Sequence, residues 1–424
     1  MLDPKFVRDD VAALREAMRR RDKLDLYGPL IDEAEALDRT RRASITRVEE
    51  RKAERNRVTQ EVGRLKKAKQ DATELQGAAR VIGEEIAALE AQLEVTQSRL
   101  DELLLGIPNV TLPDVPAGDE SHNVIVRSWG TPRAAESVMP HWELGERLGL
   151  FDLPRGAKVS GSGFIVYRGA GARLVRSLMN LMLDLHTGEF GYEETWVPVV
   201  VNRATMTGTG QLPKFEDDMY ALRDEDLFLI PTAEVPVTNL YRDEILAADE
   251  LPKSLCAYSP CFRREAGSAG KDTRGLLRVH EFDKVELVRY CAPEDGEAQL
   301  ELLLSHAEAV LQRLGLPYRV ALLAAGDTGF ASAKTYDLEV FAPGVGKWLE
   351  VSSCSLFTDF QGRRANIRYR PAPGEKPRFV HTLNASGLAF PRVIAALLEH
   401  GQQADGSVVL PPALAAVFGR ERLG

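Results

Sequence analysis

The sequence predicts an α+β chain in two parts, a long antiparallel hairpin of two helices and a larger body that contains antiparallel strands and helices. A heptad pattern of mostly apolar residues runs through the first hundred residues and predicts the hairpin. Two segments with alternating polarity flank a glycine-rich loop further on and predict paired strands. With 424 residues, of which 44% are hydrophobic, the chain is long enough for two domains.

The second helix of the predicted arm carries a seam at alternating intervals of four and three residues, formed by Leu75, Ala79, Ile82, Ile86, Leu89, Leu93, Thr96, Leu100 and Leu103. Such a seam needs a partner along its whole length. An approximate seam from Ala34 to Leu65 supplies that partner, and the short link over 69–73 favours an antiparallel neighbour. We therefore expect a two-helix hairpin over about residues 30–105.

Charge is divided unevenly between these two helices. Residues 39–69 hold 12 Lys or Arg against 4 acidic residues, whereas residues 71–102 hold 8 acidic residues against 2 Arg. One interpretation is a coiled coil with salt-bridged flanks. The other is a basic face that lies along nucleic-acid phosphates, which a net charge of −9 does not exclude because a local stripe suffices. The candidate contact residues are Arg41, Arg42, Arg47, Arg51, Arg55 and Arg64.

The cysteine pattern and the hydropathy exclude several other classes of protein. The four cysteines form no CxxC pair and have no histidine at ligand spacing, so we expect neither zinc nor a disulfide framework. We expect buried, reduced thiols instead. The first residues lack a signal pattern and no run of 18 apolar residues occurs, so we expect a cytoplasmic protein without a membrane partner.

A linker rich in proline and glycine, Ile107 to Ser121, marks the boundary between arm and body. We expect domains at 1–108 and 109–424. In the body, Ser254–Glu265 and Val279–Tyr290 read as an antiparallel hairpin around a glycine-rich, basic loop at 267–275.

The period of two in this hairpin sorts its side chains into faces. Arg263 and Glu265 should share one face of the first strand, and one face of the second should carry His280, Phe282, Lys284 and Glu286. A solvated sheet face would explain such charges. The mixture of a cation, a ring and carboxylates could also bind a phosphate, stack a base and hold an ammonium group. The loop is no P-loop, because Asp272 follows Lys271 where Ser or Thr is required.

Four further segments have the composition of a site or an interface. An amphipathic helix over 170–186 precedes the strand at 196–201, whose Pro198 predicts a sheet edge or an interface. The PTAEVP segment should place Thr232 and Glu234 on one strand face or loop, ended by Pro236. The EVSS segment, Glu350–Ser353, should end a strand and offers hard oxygens suited to Mg²⁺. In NASGLAFPR, residues 384–392, a helix should begin near Phe390 or kink there.

These segments together resemble a known family. FRRE, the loop, and the strand with Phe282 and Glu286 are similar to motif 2 of the class II aminoacyl-tRNA synthetases, and the string RREAGSAGKDTRGLLRVHEFDKVE resembles the seryl-tRNA synthetases of bacterial type. The helix, strand and Pro198 resemble motif 1, which forms the dimer interface in that family. NASGLAFPR resembles motif 3, with Pro391 in place of the usual glycine. The resemblance implies an antiparallel catalytic sheet flanked by helices, and a homodimer.

The resemblance also implies roles for individual residues. Arg263 and Arg392 would be catalytic, and Glu350 with Ser353 would hold Mg²⁺. The implied serine contacts are Thr232, Ala233, Glu234, Arg263, Glu286 and Ser386. The implied ATP contacts are Arg263, Arg264, Glu265, Val279, Phe282, Glu350, Val351, Ser352, Ser353 and Arg392.

The activity implied by the resemblance is the formation of seryl-adenylate from serine and ATP, followed by transfer of the seryl group to tRNA(Ser), with selenocysteine tRNA as a second candidate acceptor. The arm would hold the long variable arm of the tRNA, and the loop up to Arg274 would move when the acceptor end enters. Two alternatives are a paralogue that loads an amino acid onto a carrier protein and a coiled-coil scaffold without activity. The scaffold leaves Arg263, Glu286 and Arg392 without a role.

Overall fold

The computed structural model describes residues 1–136, 138–266 and 274–424. They fall into two compact units, Met1–Pro108 and Asn109–Gly424. The first unit is helical, with α1 (Pro4–Asp9), α2 (Val11–Arg20), α3 (Leu24–Lys67) and α4 (Thr73–Gly106). The 44 residues of α3 span roughly 66 Å at the usual helical rise.

Helices α3 and α4 pair as an antiparallel hairpin, which confirms the predicted arm. Its direction is fixed by ion pairs between the helices, since Glu33 pairs with Arg99 at 2.8 Å and Lys52 pairs with Glu90 at 2.6 Å. The heptad seam of α4 faces α3, and its side chains are buried at Ile82, Ile86, Thr96, Leu100 and Leu103. The helix α3 begins six residues before the expected start near residue 30.

The second unit contains nine helices among its described residues. They are α5 (His141–Arg147), α6 (Leu153–Ser160), α7 (Ala170–Gly188), α8 (Arg203–Thr209), α9 (Glu234–Thr238), α10 (Gly296–Arg313), α11 (Phe360–Arg364), α12 (Phe390–Gly401) and α13 (Pro412–Phe418). Along all the described ranges, no helix combines the length and the apolar character that crossing a membrane requires.

The strands of this unit, in chain order, are β1 (Val124–Trp129), β2 (Phe151–Asp152), β3 (Val166–Tyr167), β4 (Glu193–Glu194), β5 (Val200–Asn202), β6 (Leu227–Leu229), β7 (Ile245–Ala247), β8 (Lys253–Phe262), β9 (Glu281–Cys291), β10 (Tyr318–Leu322), β11 (Lys334–Ala342), β12 (Lys347–Leu356), β13 (Arg368–Arg370), β14 (Arg378–Phe379), β15 (His381–Ala389), β16 (Val408–Val409) and β17 (Arg422–Leu423). Eight of them form the main sheet, in the order β1-β10-β11-β12-β15-β9-β8-β4. Every neighbouring pair is antiparallel except β4 with β8. The predicted α+β fold with an antiparallel sheet is confirmed.

Alternation along β9 gives the main sheet two different faces. Val285 and Leu287 point into the larger core, together with Leu178 of α7, Leu304 of α10 and Leu397 of α12. The helices therefore cover one face of the sheet. Lys284 and Glu286 have the opposite parity, and this second face carries the candidate site.

The predicted hairpin exists, but its ends differ from the expectation. Strands β8 and β9 pair antiparallel, with Ala257 opposite Glu286. The prediction that Arg263 and Glu265 share a strand face is wrong, because β8 ends at Phe262 and Glu265 adopts a left-handed φ of 51°. Of the predicted loop at 267–275, residues 267–273 lie outside the described residues.

Three other local predictions need correction. Pro198 lies before β5, which begins only at Val200, because proline has no N–H to donate to a ladder. Pro236 does not end the chain segment but sits in the first turn of α9, where proline is tolerated. Glu350 and Ser353 lie in the middle of β12, not at its end. By contrast, α12 begins at Phe390 as expected, and all four cysteines are free and buried.

Candidate active site

A cluster of charged and polar side chains lies on the second face of the sheet; we call it the carboxylate pocket. It comprises Thr232, Glu234, Lys284, Glu286, Gln361 and Asn384, all of them buried except Asn384, which is half-buried. Glu286 is 0% exposed and forms an ion pair with the buried ammonium of Lys284. Its carboxylate also accepts hydrogen bonds from the Thr232 hydroxyl at 3.2 Å and from the Asn384 amide at 2.9 Å. Glu286 is thus bonded to three polar side chains of the protein itself.

Glu234 is the second buried carboxylate of this pocket. It accepts a hydrogen bond from the Gln361 amide at 2.7 Å, and Gln361 is held in turn by the Thr382 hydroxyl at 2.6 Å. Burial raises the pKa of Glu234 to about 7, and the nearby negative charge of Glu286 adds to the effect. The pocket therefore contains one carboxyl group whose charge changes near neutral pH.

An open cleft of about 600 Å³ adjoins the pocket and is lined mainly by cations and polar groups; we define it by Arg263, Glu265, Arg278, Phe282, Glu350 and Arg392. The Arg263 guanidinium lies 5.1 Å from the centre of the Phe282 ring. Glu265 pairs with Arg278. Arg392, in the first turn of α12, donates to the carbonyls of Leu277 at 3.1 Å and Glu350 at 2.7 Å.

A β-bulge decides which side chains of β12 reach this site. Glu350 is opposite Glu339, and Ser353 is opposite Asp337, with one extra residue in β12 between them. Residues three apart on a regular strand point to opposite faces, whereas the extra residue restores Glu350 and Ser353 to the same face. The sequence pattern alone could not reveal this shift.

Asp337 adds a second carboxyl group beside that of Glu350 and the hydroxyl of Ser353. Burial raises the pKa of Asp337, and the negative charge of Glu350 raises it further, while a hydrogen bond from Ser353 opposes the shift. One carboxylate oxygen of Asp337 is buried and accepts no hydrogen bond from the residues that the structure describes. An unsatisfied oxygen among hard-oxygen donors is the environment that a divalent cation such as Mg²⁺ prefers.

Most of the residues named from the sequence come together around one cavity. It is lined by Thr232, Glu234, Arg263, Glu350, Ser353 and Ser386, while Glu265, Val279, Phe282, Val351 and Arg392 line the adjoining cleft. Glu286 does not line the cavity itself, but it is hydrogen-bonded to Thr232 and Asn384, which do. Three residues do not point into the site: Ala233 is buried in the core, the Ser352 hydroxyl bonds to the Ser386 carbonyl, and Arg264 is exposed.

Sequence reasoning gave no role in the site to Lys284, Arg278, Asp337, Gln361 or Asn384. Two of them had a signal, since Lys284 shares its strand parity with Glu286 and Asn384 stands two residues before Ser386. Gln361 had none, because it reaches Glu234 from a helix that is 127 residues away in the chain.

In the arm, the six candidate arginines differ in their partners. Arg41 and Arg42 both pair with Asp38, Arg51 pairs with Glu54 and Glu85, and Arg64 pairs with Glu61. Within the described part of the chain, Arg47 and Arg55 form no ion pair. Part of the charge asymmetry therefore serves the helices themselves, and part is free for a partner.

Comparison with known proteins agrees with this geometry. Residues 214–401 match the tRNA synthetase class II core domain (G, H, P, S and T), which defines the class of protein. Residues 1–111 match the seryl-tRNA synthetase N-terminal domain. The serine–tRNA ligase of Gemmatimonas aurantiaca is 67% identical over 421 residues, covering 99% of both chains.

Solved structures agree with the sequence matches. Seryl-tRNA synthetase from Pyrococcus horikoshii complexed with ATP superposes with a TM-score of 0.96 at 38% identity, over 100% of this chain and 99% of the other. The cytoplasmic serine–tRNA ligase from Naegleria fowleri in complex with AMP gives 0.89 at 28% identity, over 100% and 98%. The chain belongs to the seryl-tRNA synthetase family. This membership gives no support to the carrier-protein alternative.

Proposed function

We propose that this protein activates L-serine with ATP to form seryl-adenylate and then transfers the seryl group to tRNA(Ser), as a serine–tRNA ligase. The observation that carries the proposal is the buried carboxylate pocket opening beside a cleft with Arg263 and Arg392, in a chain of this family. Residues 109–424 are the catalytic domain and residues 1–108 the tRNA-binding helical arm. A cytoplasmic location belongs to the same proposal and is supported by the family alone.

Serine is recognised in the carboxylate pocket. Thr232, Glu234 and Glu286 hold its ammonium and hydroxyl groups together with Ser386, and the two carboxylates supply the negative charge that an ammonium requires. The pocket rejects alanine because loss of the hydroxyl would leave buried polar groups without a partner. The existing bonds of Glu286 to Thr232 and Asn384 support this role, since they hold the carboxylate in one orientation.

ATP is bound in the open cleft. Phe282 stacks on the adenine ring, Glu265 accepts from its amino group, and the Val279 backbone contacts it, while Arg392 holds the distal phosphates. Arg263 bridges the α-phosphate and the serine carboxylate, for which its planar fork is suited. The serine carboxylate attacks the α-phosphorus directly, so the protein contributes alignment and stabilisation of developing charge and needs no nucleophile of its own.

Glu350 and Ser353 fit a bound Mg²⁺, and the unsatisfied oxygen of Asp337 beside them favours a cation at this position. When bound, the ion neutralises negative charge on the phosphate oxygens. Among the residues described, no cluster of three His, Cys, Asp or Glu side chains has the arrangement of a metal site. The fit therefore rests on the oxygens of these few residues and on the nucleotide itself.

The tRNA is bound by the arm through its long variable arm, with the acceptor end entering the catalytic domain. Arg47 and Arg55 are the residues of the basic helix best suited to bind phosphates, because their charge is not used in ion pairs among the described residues. The enzyme acts as a homodimer, which is supported by the 75% exposure of Trp196, the first residue of the segment 196–201 that resembles part of motif 1. Sedimentation velocity tests the homodimer, for which we expect a single species of twice the chain mass.

Pyrophosphate exchange with each of the amino acids tests the activation step. We expect exchange with serine alone, followed by charging of tRNA(Ser) when total tRNA is supplied. Exchange with another amino acid, or exchange without any charging of tRNA, would contradict the proposal.

The double variant Arg47→Ala, Arg55→Ala tests the arm. We expect the KM for tRNA to rise about tenfold at low salt and the salt dependence of binding to weaken by roughly two counterions, because two phosphate contacts are lost. Serine-dependent pyrophosphate exchange should not change. Arg80→Ala is the matched control, since Arg80 lies on the acidic helix and pairs with Glu84. Equal effects of the two variants on tRNA would refute a role for this basic face.

A further inference from the structure

A buried histidine and glutamate lie behind the open cleft and have no part in the reaction described above. His141, the first residue of α5, and Glu399, near the end of α12, are both 0% exposed. The Glu399 carboxylate accepts from Nδ1 of His141 at 2.8 Å, from the His141 backbone N–H at 3.0 Å and from the Gly344 N–H at 2.8 Å. Glu399 is therefore held by three donors.

The other ring nitrogen of His141 contacts the chain segment that leads into β9. The backbone N–H of Leu276 donates to His141 Nε2 at 3.1 Å. Because a backbone N–H can only donate, Nε2 must be the accepting nitrogen, and the ring proton must lie on Nδ1 toward Glu399. The pair thus fixes both the tautomer and the orientation of the imidazole ring.

Two other residues of α5, Trp142 and Glu143, contact the same segment. The guanidinium of Arg274 lies 4.7 Å from the centre of the Trp142 ring, and it is 3.8 Å from the carboxylate of Glu143. Gly275 has a φ of 68°, and a Cβ at this position would lie 2.5 Å from Nε2 of His141. Three consecutive residues of α5 therefore contact residues 274–276, and the approach is close enough to require glycine.

The anchored segment continues directly into the wall of the open cleft. Leu276, Leu277, Arg278 and Val279 line the cleft, and the carbonyl of Leu277 accepts from Nε of Arg392 at 3.1 Å. A displacement of Leu276 would therefore be passed to the Val279 backbone and to the Arg392 guanidinium. The residues of the carboxylate pocket have no hydrogen bond to this segment among those described.

We propose that His141, oriented by Glu399, is a positioning residue for nucleotide binding, because it holds the 276–279 segment in place through the Leu276 N–H. This inference rests on the proposed function, since it assigns the open cleft to ATP. It predicts a defect that is specific for ATP and leaves serine binding unchanged, which a general loss of stability would not produce.

Two substitutions of His141 separate positioning from packing. In His141→Asn the amide can still donate to Glu399 but cannot reach Leu276, whereas in His141→Gln the side-chain oxygen can take the accepting position of Nε2. In pyrophosphate exchange we expect the Asn variant to raise the KM for ATP about tenfold with the KM for serine within about twofold, as expected for the loss of one buried hydrogen bond that holds the wall of the cleft in place. The Gln variant should recover most of the ATP affinity.

Gly275→Ala tests the same contact from the other side and leaves the histidine and glutamate intact. Its Cβ would push the segment away from His141, so we expect the same selective rise in the KM for ATP. His306→Asn is the matched control, because His306 is a buried histidine of α10 that contacts the Tyr192 hydroxyl and does not line the cleft. It should leave both KM values unchanged.

The outcomes are distinct. If the unaltered protein shows no exchange with serine, the proposed function fails, whatever the variants do. If it does show exchange, an unchanged KM for ATP in both His141→Asn and Gly275→Ala overturns the positioning role, as does a parallel rise for ATP and serine. If His141→Asn does not fold, Gly275→Ala decides the matter, with the dissociation constant of ATP measured by calorimetry.

Discussion

The carboxylate pocket and the open cleft adjoin each other, yet they are built on different physical principles. In the pocket, Glu286 and Lys284 are buried and already bonded to their neighbours, so the cost of desolvating the charges is met during folding. In the cleft, Arg263 and Glu350 remain exposed. Under the proposed function, the small amino acid meets buried groups that are already bonded to one another, whereas the nucleotide with several negative charges meets exposed charged groups.

Glu286→Ala tests the pocket side and should have the largest effect. The substitution leaves the buried ammonium of Lys284 without its ion-pair partner and removes the acceptor for Thr232 and Asn384. We expect serine-dependent pyrophosphate exchange to fall by more than about a thousandfold. Near-normal exchange would refute the assignment of the serine site.

Two further variants control for folding in this experiment. Glu286→Gln keeps the shape and loses only the charge, and Glu281→Ala removes an exposed carboxylate from the same strand. The first should also inactivate the protein, and its melting temperature should fall less than that of Glu286→Ala, because glutamine keeps the shape and an acceptor oxygen although the Lys284 ammonium loses its counter-charge. The second should remain active.

Arg263→Lys tests the cleft side, where we expect a smaller loss. Lysine keeps the charge but lacks the planar fork that bridges two anions, so kcat for activation should fall about a hundredfold with little change in the KM for serine. Single-turnover formation of seryl-adenylate measures this step. Arg264→Lys is the control, because Arg264 is exposed and does not line the cleft. An unchanged kcat in Arg263→Lys would show that charge alone matters, and equal losses in the two variants would show that the effect is not specific to Arg263.

The pH dependence of the KM for serine should be the smallest of these effects. It tests the role of Glu234, the second buried carboxylate of the pocket. Burial raises the pKa of Glu234 to about 7, so its negative charge is present above that pH and is lost as the pH falls through it. We expect the KM for serine to rise several-fold from pH 8 to pH 6, since a protonated Glu234 attracts the ammonium less strongly. Glu234→Gln should abolish this dependence and raise the KM at high pH.

The raised pKa of Glu234 has the opposite effect on stability, which should be lower at high pH, where serine binding is stronger. The folded protein binds a proton at Glu234 more tightly than the unfolded chain does, so the free energy of unfolding should decrease as the pH rises from about 4.5 to about 7. Denaturant titrations of the unaltered chain and of Glu234→Gln would isolate this contribution. A KM for serine that does not change with pH in the unaltered chain would contradict the role of Glu234 in binding.

Much of the fold was accessible from local patterns. The seam of α4 is visible as a heptad because coiled-coil packing depends on residues that are close in sequence. The hairpin of β8 and β9 and the start of α12 at Phe390 are likewise local, fixed by alternation and by the position of Pro391. Arg263, Phe282, Glu286 and Arg392 could be named for the same reason, since each lies in a short segment that is similar to a family motif.

The tertiary structure alone decided the contacts between distant segments. The bulge in β12 that brings Glu350 and Ser353 to one face depends on how β12 pairs with β11, which no pattern within β12 specifies. Gln361 reaches Glu234 across 127 residues of chain, and Glu399 reaches His141 across 258. The sequence by itself determined which residues have the chemistry for the reaction. Only packing determined which polar groups hold them in place, because those bonds form between elements that meet on folding.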